Sequence, residues 1–228
     1  MNLTPEELEI ILLSLQISLT AVICLLPFAV ACAWFLARIE FPGKFIVEGL
    51  ISLPLVMPPV VTGYVLLISL GKRGFLGAYL YDYFGIQLSF TWFGAALAAA
   101  VLAFPLAVRA IRQSFESIDL RYDQVAQTLG ASRWRRFLTI HLPLAVPGLI
   151  TGGLLAFARS LGEFGATITF VGNIPQETRT IPLAIYTAIQ QPDGESASLR
   201  LVIVSAILAL FAVLSSELLG KRYGEKRH

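Results

Sequence analysis

Apolar residues gather into five long runs, at roughly 11–37, 46–70, 90–111, 143–171 and 199–219. Each is near or above the about 20 residues that a helix needs to cross the hydrocarbon core of a bilayer. The pattern predicts an all-α fold, a polytopic helical bundle of about five membrane spans in a single domain over 1–228. One amphipathic stretch between long runs stands apart: YDQVAQTLGASRWRRFLTIHLP, at 122–143. Val125, Ala126 and Leu129 recur at helical intervals, Gly130 supplies the left-handed residue that ends a helix, and Ser132 caps a second one. That second piece sets Trp134, Phe137 and Leu138 on one side and Arg133, Arg135 and Arg136 largely elsewhere, as suits a helix at a membrane surface or in a partner's groove. Pro143 is expected to reset the chain for the next span.

Polar interruptions inside the apolar runs point to the interior of the bundle. The second run contains Pro54, Pro58 and Pro59, with Thr62 and Gly63 close by. Prolines in mid-span free backbone carbonyls, which is tolerated where neighbouring helices or a water-filled cavity satisfy them. Two readings stand level here, a broken helix beside a pathway and a packing kink. In the fourth run, Arg159 and Glu163 are four residues apart, on one helix face, where each neutralises the other away from lipid. A structural ion pair and a contact with a solute are equally open for them, while Gly162 and Gly165 allow another helix to approach. The connection from Gly172 to about Ser198 is long and polar. Its middle, IPLAIYTAI, reads as a short re-entrant or interfacial helix, and Thr178, Arg179 and Thr180 suit a tetrahedral oxyanion.

Composition confirms the membrane reading, with 56% hydrophobic and 14% charged residues and a mean hydropathy of +0.74. The net charge of only +2, with basic residues at the ends of apolar runs, excludes a nucleic-acid partner. Those basic residues set the orientation. Arg38 and Lys44, six arginines from Arg109 to Arg136, and Lys221, Arg222, Lys226 and Arg227 all fall on one side of a five-span chain. By the positive-inside rule the N-terminus is outside, and the C-terminus and a loop at about 112–142 are cytoplasmic. Cys24 and Cys32 lack metal-ligand spacing, and Glu6, Glu7 and Glu9 precede the first run where a secretory signal would carry basic residues. No phosphate-binding loop occurs, the nearest approach being Gly71-Lys72-Arg73. His141 and His228 have no cluster of acidic or thiol neighbours, so no catalytic residue, metal site or cofactor is expected, and His141 reads as a cytoplasmic-interface residue.

At 122–143 the sequence resembles the cytoplasmic loop of ABC-importer permeases, E-A-A, three residues, Gly, nine residues, I-x-L-P. The matching positions are Gln124, Val125, Ala126, Gly130, Ile140, Leu142 and Pro143; Gln124 replaces the family's Glu and Val125 its first Ala. A neutral amide at 124 makes no full salt bridge. SLGEFGA at 160–166 is shared with permeases for sulfate. Together with LPLVMPPVVTGYVLL and GNIPQETRTIPLAIYTAIQ, the chain is more similar to the molybdate branch. That resemblance implies a non-catalytic transmembrane subunit, working as two copies, in a bacterial inner membrane. It also implies a cytoplasmic ATPase gripping the 122–143 helices, an extracytoplasmic binding protein delivering molybdate or tungstate, and a pathway or gate for which Pro58, Pro59, Thr62, Arg159 and Glu163 are the candidates. A sulfate or thiosulfate permease is the first alternative. A secondary transporter or channel is the second, opposed by the lack of an inverted second copy of either interrupted span. An intramembrane enzyme is weaker, with no nucleophile–base pair in view.

Overall fold

The computed structural model describes residues 3–192 and 194–225; Lys226 and Arg227, counted above for orientation, and His228 lie outside them. The described residues form helices throughout: α1 Pro5–Arg38, α2 Lys44–Val56, α3 Pro59–Leu70, α4 Gly77–Phe84, α5 Trp92–Glu116, α6 Leu120–Thr128, α7 Arg133–Arg136, a π turn Phe137–His141, α8 Leu142–Leu161, α9 Gly165–Phe170, α10 Ile181–Ala188 and α11 Glu195–Glu225. Four helices are long and apolar enough to cross a membrane, and α2 with α3 makes a fifth, bent span.

Helix α5 is the axis of the bundle. Its sequence is rich in alanine, and Ala95, Ala99, Ala103 and Ala107 are fully or almost fully buried. Side chains this small let neighbours come close. On one flank α1 buries Ala21, Leu25, Ala29 and Ala33 at i, i+4 spacing against it. On the other, a Cβ at Gly148 of α8 would stand 2.3 Å from the Ser114 Cβ, and one at Gly152 would stand 3.0 Å from Ile111 Cγ1. Helix α1 begins in a capping box: Thr4 Oγ1 accepts from the Glu7 amide at 3.2 Å and the Glu7 carboxylate accepts from the Thr4 amide at 2.8 Å.

The second run breaks at Pro58 and Pro59, while Pro54 lies inside α2. Helices α2 and α3 meet at 108°. Each proline pushes the residue before it out of the helical region, and both Met57 (ψ 145°) and Pro58 (ψ 130°) are extended.

The fourth run differs from its expected bounds of 143–171 at both ends. Pro143 does not reset the chain, because α7 passes through the π turn directly into α8, and the wider π turn accommodates the donor that the proline lacks. The Leu142 amide reaches back five residues to the Phe137 carbonyl. At the far end the helix stops at Leu161, and α9 starts only at Gly165. Glu163 is therefore in the break rather than on a helix face. Its carboxylate accepts from the Ala166 amide at 2.9 Å, a local bond that competes with a continuous ladder.

The long connection is ordered. Thr178 Oγ1 accepts from the Ile174 amide at 2.9 Å, and Asn173 donates to Thr187 Oγ1 at 2.8 Å. Its helix α10 buries Ile181, Leu183 and Ala184 and is packed against the bundle. Helix α11 begins earlier than the apolar pattern implies. That puts Arg200 in its second turn, 2.7 Å from buried Glu7 of α1. The aromatic helix α4, with Tyr79 and Tyr83 stacked 6.3 Å apart, is too short to register as a span.

Candidate functional site

Two places bring candidate residues together, at opposite ends of α8. At its start, α6 and α7 form the helix–glycine–helix unit. Gly130 has φ +79°, and the Ala131 amide bonds the Ala126 carbonyl at 3.0 Å, closing a Schellman turn. A Cβ at Gly130 would meet nothing within 4 Å, so its requirement is conformational, not steric. Ser132 caps α7 by accepting from the Arg135 amide at 3.3 Å. Gln124 and Val125 are exposed, Ala126, Ile140 and Leu142 half-buried, and Pro143 exposed. Leu120, Tyr122, Val125, Leu129 and Trp134 leave apolar surface uncovered, Leu129 at 82% and Trp134 at 69% exposure. Phe137 departs from the expected common face with Trp134 and Leu138. It turns inward to an edge-on contact with Trp34, while also stacking on Trp134.

Beneath α6 lies a side-chain network that the sequence pattern did not single out. Arg136, 9% exposed, donates through Nη1 to Asp123 Oδ2 at 2.8 Å, and the same nitrogen is 3.4 Å from both the Asp123 carbonyl and Gln127 Oε1. His141 is 5% exposed, so its side chain is buried within the bundle. Trp34 Nε1 donates to its Nδ1 at 3.0 Å, so in the neutral ring the proton sits on Nε2. Nε2 stands 3.0 Å from Asp123 Oδ1, in contact but off the line of a hydrogen bond, which leaves both atoms without one. Arg38 closes the floor by donating to the Phe115 carbonyl at 3.1 Å. Trp34 and His141 are 107 residues apart, beyond the reach of any periodicity argument.

At the other end of α8, Arg159 Nη1 and Glu163 Oε2 pair at 2.6 Å, with the carboxylate side chain 3% exposed. The two interrupted spans meet here. A Cβ on Gly165 would lie 2.8 Å from Pro59 Cβ, and one on Gly63 would lie 2.6 Å from the Ala166 carbonyl oxygen. Pro59 and Thr62 of α3 thus belong to the wall against which α9 packs, while Pro58 is exposed at the bend. Thr62 Oγ1 is buried without a hydrogen bond. The oxyanion reading of Thr178, Arg179 and Thr180 fails on geometry. Thr178 is spent on backbone groups and buried, Thr180 is buried, and Arg179 donates to Asn173 Oδ1 at 3.0 Å and faces Glu6 at 3.8 Å.

Residues 26–225 match the sequence pattern described as binding-protein-dependent transport system inner membrane component. The chain belongs to that family. It is therefore a multi-pass protein of the inner membrane and, like its relatives, a permease subunit. It is 58% identical over 221 residues to the molybdenum transport system permease protein ModB of Escherichia coli K12, covering 97% of this chain and 96% of that one. The Haemophilus influenzae protein of the same name is 54% identical over 220 residues, 96% of each chain. The sulfate transport system permease protein CysT of Escherichia coli K12 is 38% identical over 201 residues, 87% of this chain and 71% of that one. Among solved structures, a bacterial ABC transporter for import of the polysaccharide alginate shares the fold at TM-score 0.73 and 18% identity, covering 96% of this chain and 80% of that one. The MetNI methionine ABC transporter shares it at TM-score 0.67 and 13% identity, covering 97% and 99%.

Proposed function

We propose that the chain is the membrane subunit of an ABC importer that takes up molybdate, and tungstate with it, with ATP hydrolysed on a partner chain. The observation that carries the substrate is the near full-length likeness to two molybdenum permeases at 54–58% identity, against 38% for the sulfate permease. The whole chain, 1–228, acts as one transmembrane domain with its loop at about 112–142 in the cytoplasm and its N-terminus outside, as the distribution of basic residues favours. The uncovered apolar surface of α6 and α7 receives a cytoplasmic ATPase subunit, with Gln124, Val125, Ala126, Gly130, Ile140, Leu142 and Pro143 forming the coupling unit. An extracytoplasmic binding protein delivers the dianion. Two copies of the chain enclose the path, because five spans are few to line one alone. Pro58, Pro59, Thr62, Arg159 and Glu163 form the gate where the interrupted spans meet.

Uptake of labelled molybdate, in cells lacking other high-affinity systems, tests the substrate when tungstate and sulfate compete in excess. Tungstate should compete and sulfate should not. Competition by sulfate alone would reassign the chain to the sulfate group. Mass measurement of the complex in mild detergent should find two copies of this chain, and one copy would remove the dimer.

A further inference from the structure

The loop pattern of ABC-importer permeases has a carboxylate at the position of Gln124, and this chain does not. A carboxylate stands one residue earlier instead, and it faces the chain's own interior. Asp123 meets two groups held by the membrane spans. Arg136 of α7 is nine-tenths buried and donates at 2.8 Å to Asp123 Oδ2. His141, in the π turn, lies 3.0 Å from Oδ1 and is itself bound to Trp34 of α1. The same guanidinium nitrogen approaches the Asp123 carbonyl and Gln127 Oε1, one helical turn on, both at 3.4 Å. Arg136 thus spans a full turn of α6 along the side opposite Val125, with Gln124 to one flank. A π turn at this point is unusual, since such turns are rare and concentrate where a helix serves a function.

We propose that Asp123 is the residue that positions the coupling helix α6 on spans one and four, through Arg136 and His141, so that displacement of α6 by a partner moves those spans with it. Resting on the transport reading above, the role is one of transmission: Asp123 does not touch the ATPase, and Gln124 carries no part of the linkage. A charge-assisted bond at 2.8 Å suits this task because it resists separation, and the further approach of the same nitrogen to Gln127 ties it to a second turn of α6.

The test uses the complex of this chain with its ATPase and binding protein in liposomes, with molybdate uptake and ATP hydrolysis measured in the same vesicles. In Asp123→Asn the ATPase should remain bound and active, while the molybdate moved per ATP falls about tenfold. Asn leaves the buried Arg136 unpaired, so Asp123→Asn with Arg136→Gln serves as the second variant. It should restore the amount of folded permease but not the ratio. A wild-type ratio in either variant overturns the proposal, since the pair then only stabilises the fold. Loss of ATPase from the Asp123→Asn complex also overturns it, by making Asp123 a docking residue. Failure of the transport reading looks different, because the unaltered complex then moves no molybdate. The ratio is in that case read with sulfate, and the proposal stands or falls on it in the same way.

Discussion

The bundle contains two interrupted spans that meet each other and are broken by different means. In span two the break is covalent: two consecutive prolines hold Met57 and Pro58 extended, and the helix axis turns by 108°. In span four the break is made of contacts. Glu163 accepts from the Ala166 amide and pairs with Arg159, and at the break itself only Gly162 and Gly165 otherwise weaken the helix. The first break is set by the backbone chemistry of its prolines, whereas the second rests on the contacts of one carboxylate.

The comparison is broken most severely at Glu163. Glu163→Gln leaves the Arg159 guanidinium uncompensated in the interior, which should cost about 3–5 kcal/mol and show as lost folded yield and a lower melting temperature in detergent. Arg159→Met added to it should recover much of that yield, with a coupling energy outside the scatter of independent sites. If uptake returns along with the yield, the pair is structural. Yield without uptake places a charge in the path, and normal assembly of Glu163→Gln alone would show that the pair holds nothing.

Next in size is the seam between the two breaks. Gly63→Val puts a side chain where a Cβ is already 2.6 Å from the Ala166 carbonyl oxygen, so α3 and α9 must part, at a cost of about 1–3 kcal/mol. Thermal unfolding and uptake should both fall, and an unchanged melting temperature would mean that the two segments already separate freely. A third kind of interruption, the glycine turn at Gly130, should respond less in stability and more in coupling. Gly130→Val forces a β-branched residue into φ +79°, at about 1–2 kcal/mol, and should abolish stimulation of the ATPase by loaded binding protein. Retained stimulation would remove the turn from the coupling path. Smallest is Pro58→Ala. Pro59 still denies residue 58 the helical region, so the bend should persist and stability change by less than about 1 kcal/mol. Loss of transport in this variant would give Pro58 a role beyond the bend.

The same contrast explains what the sequence disclosed. Proline effects act on the adjacent residue, so an interruption at Pro58 and Pro59 was legible, though a break and a packing kink stood level, and so were the left-handed Gly130 and the cap after it. Hydropathy marked every span because desolvation is a property of composition. The limits of span four were not legible: Pro143 reads as a boundary locally, but the π turn absorbs its missing donor, and the stop at Leu161 depends on where the Glu163 side chain points. Asp123, Arg136, His141 and Trp34 were missed for a related reason. Each is unremarkable among its sequence neighbours; the turn at Gly130 folds Asp123 onto Arg136 and His141, and the crossing of α1 beneath the loop adds Trp34. Arg179 was misread because its partners, Glu6 and Asn173, come from other turns of the chain.

The unbroken run from Arg133 to Leu161 has a mechanical consequence. Its 29 residues make a rod about 43 Å long at the usual helical rise. The rod is clamped near its middle, where Gly148 and Gly152 press on α5. Pro147 stands inside the helix at this clamp, and a rod held there would pivot as a seesaw. A tilt of about 5° moves each tip by about 2 Å, enough to exchange one set of hydrogen bonds for another. The downward arm begins in the arginine-rich turn under the loop, and the upward arm ends at Gly162, beside the carboxylate that keeps α9 apart. Spin labels at the two tips should therefore move in opposite senses during turnover, and a rod whose tips moved together would not be pivoting at Gly148 and Gly152.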